Sequence, residues 1–234
     1  MVNSSTYNLL FNRKIGGLNK KVDFFKLLNE KKSFLAKTFG NLIFQLLITF
    51  IIAFRVKSPD LLGNNLYFWG LMITTFIIIF LLAMFKNMPP IVKFILFTIF
   101  SISWGLLLSK IKEQTSPEII KSALLGVMSI FIAMLTVGLL ITSMGITMSP
   151  RFGFILLVAL LLLIIVSIVS MFMKSYDTYH KAISVFALVL FSIFIIYDTN
   201  TILQRKYLGD FITASIDYYL DILNIFINLI NIQS

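Results

Sequence analysis

Seven apolar stretches divide the chain, and their lengths and breaks predict seven helices. They cover about residues 41–56, 66–85, 91–109, 122–148, 152–173, 182–198 and 211–232. Each is near the ~20 residues that a bilayer-crossing helix needs, with the first and sixth somewhat short. The second ends at Lys86-Asn-Met-Pro-Pro, where two prolines stop a helix. A charged loop, 110–121, follows the third, and Ser149, Pro150 and Arg151 close the fourth. No strand alternation or tandem repeat competes with this pattern. The expected fold is an all-α membrane protein: a bundle of seven hydrophobic helices, six of them spans and a seventh that crosses or re-enters. A basic tail, 1–40, precedes a single membrane domain, 41–234.

The last stretch breaks the apolar rule in a regular way. Asp217, Asp221, Asn224, Asn228 and Asn231 are spaced four, three, four and three. At 3.6 residues per turn all five fall within roughly an 80° stripe. A carboxylate at the centre of a membrane helix costs roughly 2.5–3.5 kcal/mol on insertion scales. The stripe is therefore expected to face other helices or a watery path. A further acid, Asp198, stands at the end of the sixth stretch. On the fourth, Ser122, Gly126, Ser129 and Ala133 make a small-residue face suited to close helix approach.

Composition agrees with the pattern and removes other classes. Of 234 residues 59% are hydrophobic and 13% charged, with a mean hydropathy of +0.96, far from a soluble domain. The net charge of +10 does not indicate nucleic acid, because the cations sit in a tail and in short loops between spans. With the N-terminus cytoplasmic, thirteen cations fall inside (Arg13 to Lys37 in the tail, then Lys86, Lys93, Arg151, Arg205 and Lys206) and seven outside. That bias favours this orientation. No cleavable signal peptide is expected; the first span directs insertion. Without cysteine, and with His180 as the one histidine, disulfides and thiolate or multi-histidine metal centres are excluded.

Two runs carry a family resemblance. Phe194-Ile-Ile-Tyr-Asp-Thr-Asn, followed by Ala214-Ser-Ile-Asp-Tyr-Tyr-Leu-Asp-Ile-Leu-Asn-Ile-Phe, resembles the signature of the transmembrane Bax inhibitor motif family. It is most like the branch of Golgi anti-apoptotic proteins. Ser33-Phe-Leu-Ala-Lys-Thr-Phe and Thr147-Met-Ser-Pro-Arg-Phe-Gly are weaker matches to the family's entries into the first and fifth spans. The resemblance covers about Ser33 to the C-terminus and is strong from Ile193 onward. It implies a heptahelical bundle in which Asp198 and Asp221 form a buried pair controlling a pH-sensitive calcium leak, with Asp217 as an extra acid one turn earlier. Three departures stand out. Gly209-Asp210 replaces two glutamates of the Golgi branch, Phe152 replaces an aspartate, and stretch 66–85 lacks the arginine that bacterial members pair with the acids.

Physical chemistry supports such a role independently. Two carboxyl groups held close in a low-dielectric bundle repel when both ionise, so sharing a proton joins their helices and losing it separates them. Calcium takes hard oxygen ligands, which Asp198 and Asp221 supply transiently, while Asn224, Asn228 and Asp210 are the expected polar pore lining. The expected function is thus a calcium-permeable, pH-sensitive leak channel of intracellular membranes, Golgi or endoplasmic reticulum. It lowers stored calcium and so suppresses apoptosis. The alternative is a non-conducting adaptor that binds death-regulating membrane proteins. Neither reading is an enzyme, and neither needs a cofactor. An intramembrane aspartyl protease is disfavoured because Tyr207 stands where the Gly-x-Gly-Asp motif needs glycine.

Overall fold

The computed structural model describes residues 24–57, 65–85, 88–170, 176–204 and 209–234. They form seven helices: α1 (Phe24–Arg55), α2 (Asn65–Met84), α3 (Pro90–Gln114), α4 (Pro117–Ser143), α5 (Pro150–Ser170), α6 (Tyr176–Gln204) and α7 (Phe211–Gln233). Five of them (α1, α3, α4, α5 and α6) contain segments long and apolar enough to cross a membrane. The chain is a multi-pass membrane protein. The cations within 1–23, and Lys86, Lys174, Arg205 and Lys206, lie outside the described residues.

α7 is the centre of the bundle. It packs against α1, α3, α4 and α6, whereas α2 rests on α3 and α5 on α6. Ile212, Ala214, Tyr218, Tyr219, Leu223 and Ile225 on α7 are at most 2% exposed. By contrast α5 turns Phe154, Leu161, Leu162 and Ile165 outward, as a helix bathed in lipid does. The contacts of α7 keep step with α1 and α3 along its length. Near its start Asn41 Nδ2 donates to Ser215 Oγ at 2.7 Å. Midway Phe97 meets Tyr219 edge-on at 5.1 Å. Further along Phe50 meets Phe226 at 5.6 Å. α7 therefore runs through the bundle at the same depths as α1 and α3, and does not fold back.

Several helix limits differ from those expected, for one recurring reason: polar residues read as membrane exits are bonded inside the bundle. α1 starts at Phe24, within the segment expected to be a tail. Its Thr38 and Asn41 are buried, and Lys31 Nζ donates to Ile202 O of α6 at 3.4 Å. α6 continues to Gln204, so Asp198 lies within the helix and is no cap at its end. Thr199, Asn200 and Thr201 after it are buried too. α4 begins at Pro117, capped by Ser116, whose side chain accepts from Ile119 N. It ends at Ser143, where Gly145 adopts φ 78°, a conformation glycine takes without the usual Cβ penalty.

The small-residue face of α4 is also corrected. Ser122, Ser129 and Ala133 are exposed; of the four, Gly126 alone packs closely, its α-carbon facing Leu229. The buried stripe is Ile120, Ala123, Val127, Gly138 and Thr142. Ser129 faces outward at no polar loss because its hydroxyl donates to Leu125 O at 2.9 Å.

Candidate functional site

Asp198 of α6 and Asp221 of α7 are 9% and 4% exposed. Their side chains lie within hydrogen-bonding reach of each other. An ionised carboxylate only accepts, so a hydrogen bond between two such groups holds a proton. Among the described residues neither acid is in an ion pair, and Oδ2 of Asp221 has no hydrogen-bond partner. Asp217, one turn earlier on α7 and half-buried, is close enough for its charge to act on both. The three acids expected to act together are thus brought together. Among the described residues no group of three or more His, Asp or Glu side chains is placed to hold a metal ion.

The pair is held by neighbours on four helices. Tyr218, next to Asp217, is 1% exposed and donates its hydroxyl to Thr199 Oγ1 at 2.9 Å. Its ring stacks on Phe39 of α1 at 5.8 Å and meets Phe131 of α4 edge-on at 5.4 Å. Behind Asp198, the Asn200 amide donates to Thr142 Oγ1 at 3.0 Å and Ile146 O at 2.8 Å. Its oxygen accepts from Met148 N at 2.8 Å. Gln204 adds a bond to Ile146 O at 2.6 Å and another to Thr147. The loop between α4 and α5 is therefore tied to the last turns of α6.

Backbone approach sets the position of α6. A Cβ at Gly138 would stand 2.6 Å from Thr199 Cβ and 3.1 Å from Ile196 O. Gly138→Val is expected to push α4 from α6, break the Tyr218–Thr199 bond, and cost about 1–3 kcal/mol. Gly70→Ala, where nothing lies within 4 Å, should raise stability by about 0.5–1 kcal/mol through helix propensity. Thermal unfolding of both variants in detergent checks the contrast; equal melting temperatures would remove the close-packing role of Gly138.

The remaining expected site residues divide. Asn224 and Asn228 continue the acid face of α7 and are half-buried. Their amide nitrogens donate at 2.7 Å to Leu220 O and Asn224 O within the helix. Asp210 does not join the acids. It caps α7 by accepting from Thr213 N at 3.1 Å and Thr213 Oγ1 at 2.6 Å. It also pairs with Lys93 of α3. Burial pushes the Asp210 carboxyl up, but hydrogen bonds from Lys93 and from the Thr213 side chain and backbone, with the Lys93 charge, outweigh it. The net effect holds the group below the usual carboxylate range. Lys93, counted in the sequence as one of the inside cations, is 3% exposed and lies within α3, paired with Asp210; a lone cation inside the apolar run 91–100 is a legible signal of such a partner. Tyr218 and Asn200 had no such signal, since their partners lie on other helices.

Comparison with known proteins shows what the chain as a whole is similar to. The model of the family Bax1-I, inhibitor of apoptosis-promoting Bax1, matches residues 31–234. A BI1-like protein of Arabidopsis thaliana is 30% identical over 204 residues, 85% of this chain and 79% of that protein. The Golgi anti-apoptotic protein of Vaccinia virus (strain Lister) is 25% identical over 207 residues, 86% of this chain and 85% of the other. Protein LIFEGUARD 1 of Arabidopsis thaliana is 26% identical over 215 residues, covering 86% and 88%.

Proposed function

Because this chain belongs to the Bax inhibitor family, the inhibitors of apoptosis-promoting Bax1, we propose that it suppresses apoptosis, and does so as a calcium-permeable, pH-sensitive leak channel of intracellular membranes. The observation that carries the reading is the buried Asp198–Asp221 contact, with no ion pair to either acid among the described residues. Protonated, the pair joins α6 to α7 at the middle of the bundle. Deprotonated, two like charges repel in a low dielectric, with Asp217 adding a third. The helices then separate, and oxygens that had shared a proton face a passing cation. Calcium is the cargo and suits these hard ligands. The amide nitrogens of Asn224 and Asn228 are committed to the backbone, which leaves their carbonyl oxygens to hydrate the ion without trapping it.

The site of action we propose is the Golgi or endoplasmic reticulum, with a cytoplasmic N-terminus. The lower calcium store that results leaves less to release during a death signal. The test is calcium flux into proteoliposomes across a pH series through neutrality. Flux that rises with pH is expected. Vesicles that stay tight at every pH, with correctly folded protein inserted, would leave the adaptor function, in which death-regulating membrane proteins are the partners.

A further inference from the structure

The acid contact between α6 and α7 has a neutral companion. Thr199 follows Asp198 in the chain and Tyr218 follows Asp217, and the Tyr218 hydroxyl donates to Thr199 Oγ1 at 2.9 Å. Thr199 in turn donates to Ile195 O at 2.7 Å, a short chain in which each bond polarises the next. Both partners are fixed in place. The Tyr218 ring is held by Phe39 of α1 and Phe131 of α4, and Thr199 packs against the bare α-carbon of Gly138. Tyr218 and Thr199 are each 1% exposed. A hydroxyl that leaves its acceptor in such a place meets no water, and a buried bond left unmade costs more than the same bond gains when made.

Elsewhere the two helices are bonded to different neighbours. On α7, Ser215 accepts from Asn41 of α1, Tyr219 shares a hydrogen bond with Thr49 of α1, and Asp210 pairs with Lys93 of α3. On α6, Asn200 and Gln204 bond to α4 and the loop after it. A force that parts α6 from α7 therefore acts across the Tyr218–Thr199 bond. We propose that Tyr218 is a positioning residue of the acid site: its hydroxyl latches α7 to α6 and sets how readily the two helices part. Only the parting of the helices is taken from the proposed function; calcium passage is not required.

The experiment uses an introduced thiol, since the chain has no cysteine of its own. Ala214, 0% exposed, stands two turns before Asp221 on the same face of α7. At one fixed pH, the rate at which a water-soluble methanethiosulfonate modifies Ala214→Cys in the full chain in detergent reads how often that face opens. Tyr218→Phe keeps the ring and loses the bond. It should raise the rate about three- to tenfold, the factor for one neutral hydrogen bond. Thr199→Val strands the hydroxyl and should raise the rate at least as much. The double variant should not exceed the larger single one, because both remove the same bond. Tyr219→Phe, which loosens α7 from α1 instead, should leave the rate unchanged. A thiol placed by Ala53→Cys, buried on α1, should react alike in every variant. An unchanged rate at Ala214→Cys overturns the proposal. So does an equal rise with Tyr219→Phe or at Ala53→Cys, either of which is general loosening of the bundle. If Tyr218→Phe does not fold, Thr199→Val decides the matter. Calcium flux through the same variants separates latch from channel: faster modification without flux upholds the latch and counts against the leak alone.

Discussion

Asp221→Asn is expected to abolish calcium flux at every pH while the protein still inserts and folds. Asparagine matches aspartate in size and still hydrogen-bonds to Asp198, so the α6–α7 contact persists. What it cannot do is ionise, and the proposed opening force is the repulsion of two ionised groups. Asp198→Asn should remove the flux step near neutral pH for the same reason. The two substitutions touch one shared contact, so they cannot add, and the double variant should resemble the worse single one. Asp217 acts on both acids and is able to stand in for either. The series therefore includes the double variant with Asp217→Asn. Wild-type flux through folded Asp221→Asn would falsify the gating role. A pH step that survives Asp198→Asn and disappears only with Asp217→Asn would make Asp217 and Asp221 the working pair.

Asp210→Ala is expected to lower stability by about 3–5 kcal/mol, the cost of removing one member of a buried ion pair. Lys93 is buried, and its described carboxylate partner is Asp210; the same substitution also removes the cap of α7, alone worth about 1 kcal/mol. Lys93→Met should cost less, because it takes the buried ammonium away and leaves Asp210 its bonds to Thr213. The pair also sets a pH dependence. Asp210 titrates below its ordinary range, so its contribution is fully present above the unfolded value of 3.8 and is lost as pH falls through the lower folded value. Part of this is screened, since Asp210 remains partly exposed. Melting temperatures in detergent from neutral pH to about pH 3 should fall more steeply for wild type than for Lys93→Met. Parallel curves would show that the ion pair contributes nothing there.

Much of the fold was legible because a bilayer imposes length and hydrophobicity on each span. The seven apolar stretches match the seven helices in order. The stripe on α7 was legible for a related reason: five polar residues at helical spacing in an apolar segment have few places to go. Asp217 and Asp221 were therefore found by periodicity alone. The partnership with Asp198 came from the resemblance of two short runs, and the structure puts the two acids in contact. Where the sequence misled, it did so at polar residues near helix ends. Thr199 and Asn200 look like an exit from the membrane, yet one bonds to Tyr218 and the other to the α4–α5 loop.

The sequence by itself determined that this is a membrane bundle, the order of the seven helices among the described residues, and which face of the last one is acidic. These are properties of single segments, and segment-level physics decides them. Only the tertiary structure decided that α7 runs through the centre, that Asp210 turns to Lys93 and away from the acids, and that Gly138 rather than Ser122, Ser129 or Ala133 marks a close crossing. Each of these depends on which helix lies beside which. In an apolar chain nearly every face is hydrophobic enough to face either lipid or protein, so hydropathy cannot choose among neighbours. Hydrogen bonds and close backbone contacts between helices make that choice.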